Sequence, residues 1–318
     1  MATKTDRLTT PDNIASNETC SKQTYSDQIN GDQTDSTQPD SDKTVSDQLI
    51  RFLLPDARAR GVVIRATHIF EEANRIHGLN GNIAHLFDQS LLASILLLSI
   101  SKGATRQVLQ LNSTTSSAPV QMLLTEARQG DVRGFINWAD GQTILHHDDG
   151  ETLSGWLGKP VRFSTVRDLG FGQPYVSSIE HESDFLADHL IHYLHQSVQI
   201  RADIVLHGDL AIMIEAMPGC SDDDWFKAVE SMAKIPNSVL ETASTASILT
   251  YFNDLKIKQA GTDAYRYHCD CSPEKMTQAM KNFSPEQLTS LADEAGNITA
   301  SCQYCRSHHI IKLTQIVA

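Results

Sequence analysis

Four cysteines near the C-terminus, Cys269-Asp270-Cys271 and Cys302-Gln303-Tyr304-Cys305, are the residues whose types and spacing most plainly allow chemistry. Two close thiol pairs with 30 residues between them can converge on one metal ion as four thiolates. The same four can instead pair off into two local disulfides. Cα atoms two residues apart are at most roughly 7 Å distant, at the edge of disulfide reach. Zinc favours soft thiolate ligands in a tetrahedron, and CxxC is a common half-site; CxC is scarcer, which makes the combination specific. Four thiolates around Zn²⁺ leave about two negative charges, so the sulfurs are electron-rich and open to peroxide. The spacing alone is satisfied equally by a permanent zinc staple and by an oxidant-sensing switch.

Other chemistry-bearing residues give weaker patterns. Cys20 lies in a polar N-terminal stretch and Cys220 in a turn after a strand, and neither is expected to be a ligand or a nucleophile. His189, His192 and His195 follow an i, i+3, i+6 spacing on an expected helix, whereas metal-binding helices more often use i, i+4. His146-His147-Asp148-Asp149 reads as a polar turn, and His308-His309 follows a ligand set that already fills a tetrahedron. The chain has no Walker A loop, no dinucleotide glycine fingerprint and no GxSxG elbow, and Gly170-Phe171-Gly172 does not continue as a phosphate loop. No constellation for acid–base or nucleophilic catalysis emerges, so an enzyme is not expected.

The elements that must position the cysteines come from a chain of 318 residues, long enough for a sizeable core and at least two folding units. Residues 1–48 are rich in Ser, Thr, Asp, Asn and Gln, contribute almost nothing apolar, and are expected to be a disordered acidic extension rather than a targeting signal. A net charge of −13 disfavours general affinity for nucleic acid or anionic membranes. The longest apolar run, Leu91 to Ile100, is too short to span a bilayer. Six cysteines without a secretory leader point to a reducing, cytoplasmic setting.

Residues 49–220 read as a mixed α/β unit. Strands are expected at 61–67, 107–111, 120–124, 132–138, 161–166, 175–179, 200–206 and 210–216, with helices over 68–77, 81–102 and 184–196. After Pro218-Gly219, Ser221 followed by Asp222, Asp223 and Asp224 is a helix start, and residues 221–262 read as an interrupted helical connector rather than a second core. Residues 263–318 form a short segment expected to fold only around its metal. The fold class is therefore α+β: a mixed α/β core, a helical connector and a small C-terminal zinc module.

This order resembles the heat shock protein 33 family, redox-regulated holdase chaperones of bacteria. Tyr267 to Lys275 resembles the family's first cysteine knuckle, and Cys302 to Cys305 its second, with an aromatic before the last cysteine. Arg60-Gly61-Val62-Val63 and Arg133-Gly134-Phe135 resemble its Arg-Gly strand starts. Gln173 to Ser178 is similar to its tyrosine-containing strand, and Leu186 to Leu190 with Tyr193 to the helix that follows. The resemblance covers residues from about 50 to about 313. It implies an ATP-independent holdase that keeps zinc on Cys269, Cys271, Cys302 and Cys305 while reduced and largely inactive. It further implies that oxidation forms Cys269–Cys271 and Cys302–Cys305 bridges, ejects zinc, unfolds the module and loosens the connector residues Trp225, Phe226, Val229, Met232, Ile248 and Leu249. Unfolding client proteins are the implied partners, with a homodimer when oxidised.

Departures from the family pattern fall at Val198, His207, Glu215 and His309, and the acidic extension is foreign to the family core. A zinc-stapled nucleic-acid-binding protein is the rival from another class. The module balances Arg266, Lys275, Lys281, Arg306 and Lys312 against five acids and so presents no basic face. A thiol oxidoreductase would place CxxC at a helix start after a strand, which this C-terminal location does not offer.

Overall fold

The computed structural model describes residues 46–142 and 152–317. In chain order the elements are β1 (Asp47–Leu54), β2 (Ala59–Arg65), α1 (Thr67–His77), α2 (Gly81–Ile100), β3 (Arg106–Ser113), β4 (Val120–Arg128) and β5 (Asp131–Trp138). Then follow α3 (Leu153–Leu157), β6 (Val161–Asp168), β7 (Tyr175–His181), α4 (Leu186–Tyr193), β8 (Ala202–His207) and β9 (Leu210–Ala216). The C-terminal third carries α5 (Asp222–Ala233), α6 (Asn237–Thr242), α7 (Thr245–Leu249), β10 (Lys258–Tyr267), α8 (Pro273–Met280), α9 (Pro285–Leu291), β11 (Asn297–Ser301), β12 (His308–Lys312) and α10 (Leu313–Val317).

Ten strands make one sheet in the order β7-β6-β3-β4-β5-β10-β1-β2-β9-β8. Successive side chains of a strand face opposite sides, and β1, β2 and β9 are apolar on both. Val62, Ile64, Ala211 and Met213 enter the larger core beneath α1 and α2. Phe52, Leu54, Val63, Leu210, Ile212 and Ile214 enter a second core on the other face, closed by Trp225, Ala228, Met232, Leu240, Ile248 and Phe252. Residues 221–262, expected to be a connector rather than a second core, share this core with the sheet. The amphipathic stripes of α5 to α7 have an apolar sheet face to cover, and they cover it. Pro236 does break the run, between α5 and α6.

Four strands escaped the sequence reading: β11 and β12 of the small hairpin, and β1 and β10 of the large sheet. β1 begins at Asp47, so Asp47 and Gln48, assigned above to the extension, are strand residues; residues 1–45 of that extension and the His146 to Asp149 turn lie outside the described residues. The Asp47 carboxylate accepts the Ile69 N–H at 2.9 Å and lies 2.7 Å from His68 Nδ1, tying β1 to the start of α1. β10 is mostly polar and shows no apolar period; pairing alone defines it. It runs antiparallel to β1 from Asp47↔Tyr265 to Leu53↔Lys258 and parallel to β5 at Arg266↔Asp131 and Tyr267↔Val132. β10 thereby joins the two halves of the sheet, and residue 263, the expected start of the module, falls inside it.

Both Arg-Gly strand starts have a packing reason. A Cβ at Gly61 would lie 2.6 Å from the Met213 carbonyl oxygen and strike the Phe52 ring. One at Gly134 would lie 2.8 Å from the Leu124 carbonyl oxygen. Among the described residues α2 is the one helix long and apolar enough to cross a membrane, but most of it is buried across β3, β4 and β5. Its Ser90 and Ser94 hydroxyls bond to the Leu86 and Leu91 carbonyls at 2.7 and 2.8 Å, which satisfies them in an apolar setting.

Asp88 is the charged residue α2 buries most deeply. Its Oδ2 accepts from Asn74 Nδ2 at 2.9 Å, while Oδ1 has no partner. Burial, against the opposing pull of Asn74, pushes the carboxyl up to about 7. A folded value above the unfolded one gives stability that is full below about pH 4 and lost as pH rises through about 7. Asp88→Asn is therefore expected to raise the melting temperature at pH 8 by on the order of 5 °C and to leave it nearly unchanged at pH 4. Parallel wild-type and variant melts at both pH values check this.

Candidate metal centre

β10 delivers the first cysteine pair: Cys269 lies two residues beyond its end, and Ser272 caps α8 just after Cys271, its Oγ accepting the Lys275 N–H at 3.3 Å. The second pair sits in the turn between β11 and β12. Cys302 N–H bonds to the Ser307 carbonyl at 2.8 Å and Arg306 N–H to the Cys302 carbonyl at 2.9 Å. Arg306 takes a left-handed φ of 61° that closes this knuckle. The hairpin rests on a small core of Leu288, Ile298, Ala300, Ile311 and Ile316.

The four sulfurs all lie within 4.8 Å of one another and could hold a metal ion. Cys269 and Cys302 Sγ are 3.6 Å apart, and Cys271 and Cys305 Sγ 3.3 Å. A tetrahedron with metal–sulfur bonds of about 2.3 Å has edges of about 3.8 Å, so the cluster is the right size for a thiophilic dication. All four are free thiols. Burial raises the Cys269 and Cys271 thiols above the ordinary value. Burial acts in the same sense on Cys305, but hydrogen bonding with Ser307 and the neighbouring thiols outweighs it and brings that group to about 7. Thiols held this close share one negative charge readily and four only with a cation among them.

His309, one of the departures, has its Nε2 3.2 Å from Cys271 Sγ, a contact the sequence did not predict. The other departures lie away from the cluster. Glu215 is buried in an ion pair with Arg60, His207 Nε2 is 3.7 Å from Glu241, and Val198 ends the turn that extends α4. His189 is buried with Nε2 2.9 Å from the Ser183 carbonyl, and His181 stacks on His192 with centroids 4.6 Å apart. Among the described residues no metal-ligating group includes them. Cys220 donates to the Ala57 carbonyl at 3.2 Å, and burial raises its thiol; Cys20 lies outside the described residues.

The sequence reading also missed how the module is seated. Tyr267 donates its O–H to the Tyr304 carbonyl at 2.7 Å and accepts from Gly134 N–H at 3.4 Å. His77 Nε2 lies 3.1 Å from the same Tyr304 carbonyl; burial, helped by Arg306, lowers His77 to about 4 and keeps it neutral. The Tyr304 ring meets Phe135 edge-on at 5.1 Å and carries Arg133 over its face at 4.3 Å. Arg133 Nη1 reaches Asp270 Oδ1 at 2.9 Å and Cys269 Sγ at 3.5 Å.

The profile of the Hsp33 protein family matches residues 47–312. The chain belongs to the Hsp33 family. Hsp33 relatives include the 33 kDa chaperonin of Trichodesmium erythraeum, 24% identical over 85% of this chain and 93% of the relative. That of Bacillus subtilis is 23% identical over 82% of this chain and 94% of its own length. The crystal structure of the Hsp33 homologue of Thermotoga maritima superposes with a TM-score of 0.69, at 19% identity, covering 85% of this chain and 96% of that one. That likeness carries the fold and agrees with the α+β architecture expected from the sequence.

Proposed function

We propose that this Hsp33 chain is a redox-regulated, ATP-independent holdase that binds unfolding proteins in the cytoplasm and is not an enzyme. Family membership and the relatives' name, 33 kDa chaperonin, support the chaperone reading. The observation that carries the regulation is the second core. The connector, residues 221–262, hides an apolar face of the core unit (residues 49–220), and the chain leaves it through β10 directly into the cysteine module, residues 263–318.

In the reduced state Cys269, Cys271, Cys302 and Cys305 would hold Zn²⁺, which supplies the cross-link that the five-residue core of the module cannot replace. Peroxide draws two electrons from each thiolate pair. Two O–O bonds break, two S–S bonds form, four protons are taken up, and four waters and a free dication leave. The products are Cys269–Cys271 and Cys302–Cys305 bridges. The module then unfolds, the connector loosens, and the exposed face of Phe52, Val63, Ile212 and Ile214 takes up clients, with a homodimer as the oxidised form. No affinity for nucleic acid or membrane belongs to this reading, in line with the net charge of −13.

Metal analysis of the reduced protein should find about one zinc per chain. Peptide mapping after peroxide should find both short-range bridges. Since the shortest sulfur separations cross between knuckles, a predominant Cys269–Cys302 link would contradict the pairing. An N–H···S bond from His309 withdraws density from the Cys271 thiolate, so His309→Phe should speed peroxide-driven zinc release about threefold to tenfold, read with a chromogenic chelator.

A further inference from the structure

The sheet face under the cysteine module carries a charge arrangement that the metal reading does not use. Glu126 on β4 is almost fully buried, and three arginines converge on it: Arg106 at 2.8 Å, Arg128 at 2.8 Å and Arg133 at 3.0 Å. Three cations on one carboxylate leave two positive charges on this face. Around it the remaining charges sum to zero: Asp131 binds Arg266 at 3.0 Å, and Asp270, which offsets Lys275, is shared with Arg133 at 2.9 Å and Arg128 at 3.7 Å. Arg133 is the deepest of the three, with its side chain 15% exposed and its Nε buried without a partner. Its guanidinium touches both knuckles, through Asp270 and Cys269 on one and the Tyr304 ring on the other.

We propose that this arginine face is an electrostatic seat for the reduced cluster, and that Arg133 is the positioning residue through which loss of cluster charge undocks the module from the sheet. The proposal rests on the zinc and disulfide reading above. Four thiolates around a dication carry about two negative charges, which match the net excess of two positive charges on the seat. Two disulfides carry none. Oxidation thus leaves the excess cations against a neutral partner in a half-buried setting, where uncompensated charge is costly. The same sulfur chemistry that lets the metal go also removes the reason for the module to stay. Unfolding of the module and its release from β5 then become one event rather than two.

Amide exchange in the full-length, reduced protein reads docking directly. The N–H groups of Arg266 and His268 bond to the Gly130 and Val132 carbonyls at 3.1 and 3.0 Å and are protected only while β10 lies against β5. Arg133→Gln should speed exchange at these two amides by about tenfold or more, with one zinc per chain retained. Arg133→Lys, which keeps the charge, should fall between wild type and Arg133→Gln. Arg128→Glu, on a side chain 43% exposed that pairs with Glu126 and Asp270, reverses one charge of the seat and should accelerate the same amides severalfold. Unchanged exchange in Arg133→Gln and Arg128→Glu with zinc retained would overturn the seat. So would a lysine variant as fast as the glutamine one, or zinc lost from Arg133→Gln in step with exchange. A wild-type chain without metal would sink the preceding reading, and this one with it.

Discussion

Replacing Cys269, Cys271, Cys302 and Cys305 together with serine is expected to unfold the module and leave the ten-stranded sheet standing. Apart from the cysteines, its core is Leu288, Ile298, Ala300, Ile311 and Ile316 with a few half-buried neighbours, far too little to offset the ordering of some fifty residues. Metal binding in small thiolate modules supplies on the order of 10–16 kcal/mol, so loss of such a site would outweigh the loss of any one buried side chain, about 2–5 kcal/mol. Hydrogen exchange should show amides 268–317 losing protection while β2, β4 and β9 keep theirs. The variant should also suppress aggregation of a denatured test protein without any oxidant. A serine variant that keeps both its module protection and its inactivity would contradict the account.

The second large effect separates the connector from the metal. Phe252 is fully buried in the second core with its ring centroid 5.4 Å from that of Phe52 on β1. Phe252→Ala removes a filled aromatic site and should cost about 3–5 kcal/mol. Because α5 to α7 are short and hold to the sheet by this one face, the cost falls on the docked state of the connector. The variant should bind clients while reduced and still carry one zinc per chain. Loss of zinc in Phe252→Ala would show that connector and module cannot be uncoupled. A fully inactive, zinc-loaded variant would show that the covered sheet face is not where clients bind.

The cluster was legible because thiolate chemistry needs particular residues at particular spacings, and Cys269, Cys271, Cys302 and Cys305 meet in space as that spacing implied. Elements with a near-continuous apolar run were legible too, such as α2 and β9. β10 was not, since it is stabilised by backbone pairing to β1 and β5 rather than by buried side chains. The second core was hidden for a related reason: an amphipathic helix does not say what its apolar stripe will meet, and the partner face on β1, β2 and β9 also serves the first core. Arg133 read only as part of an Arg-Gly strand start. The glycine is explained by the approach of Leu124, but the arginine's contacts span 136 residues to Cys269, a separation no local pattern records. His309 had a hint in its proximity to Cys305, and its contact with Cys271 follows from the pairing of β11 with β12.

Zinc release and client protection followed together during one peroxide time course at mild heat would test the central claim most directly. A chelator dye and light scattering from a denaturing enzyme report the two in a single cuvette. The account predicts no protection from the reduced protein and a rise in protection that tracks metal loss. Equal protection by the zinc-loaded form, or complete metal loss with none, would contradict it.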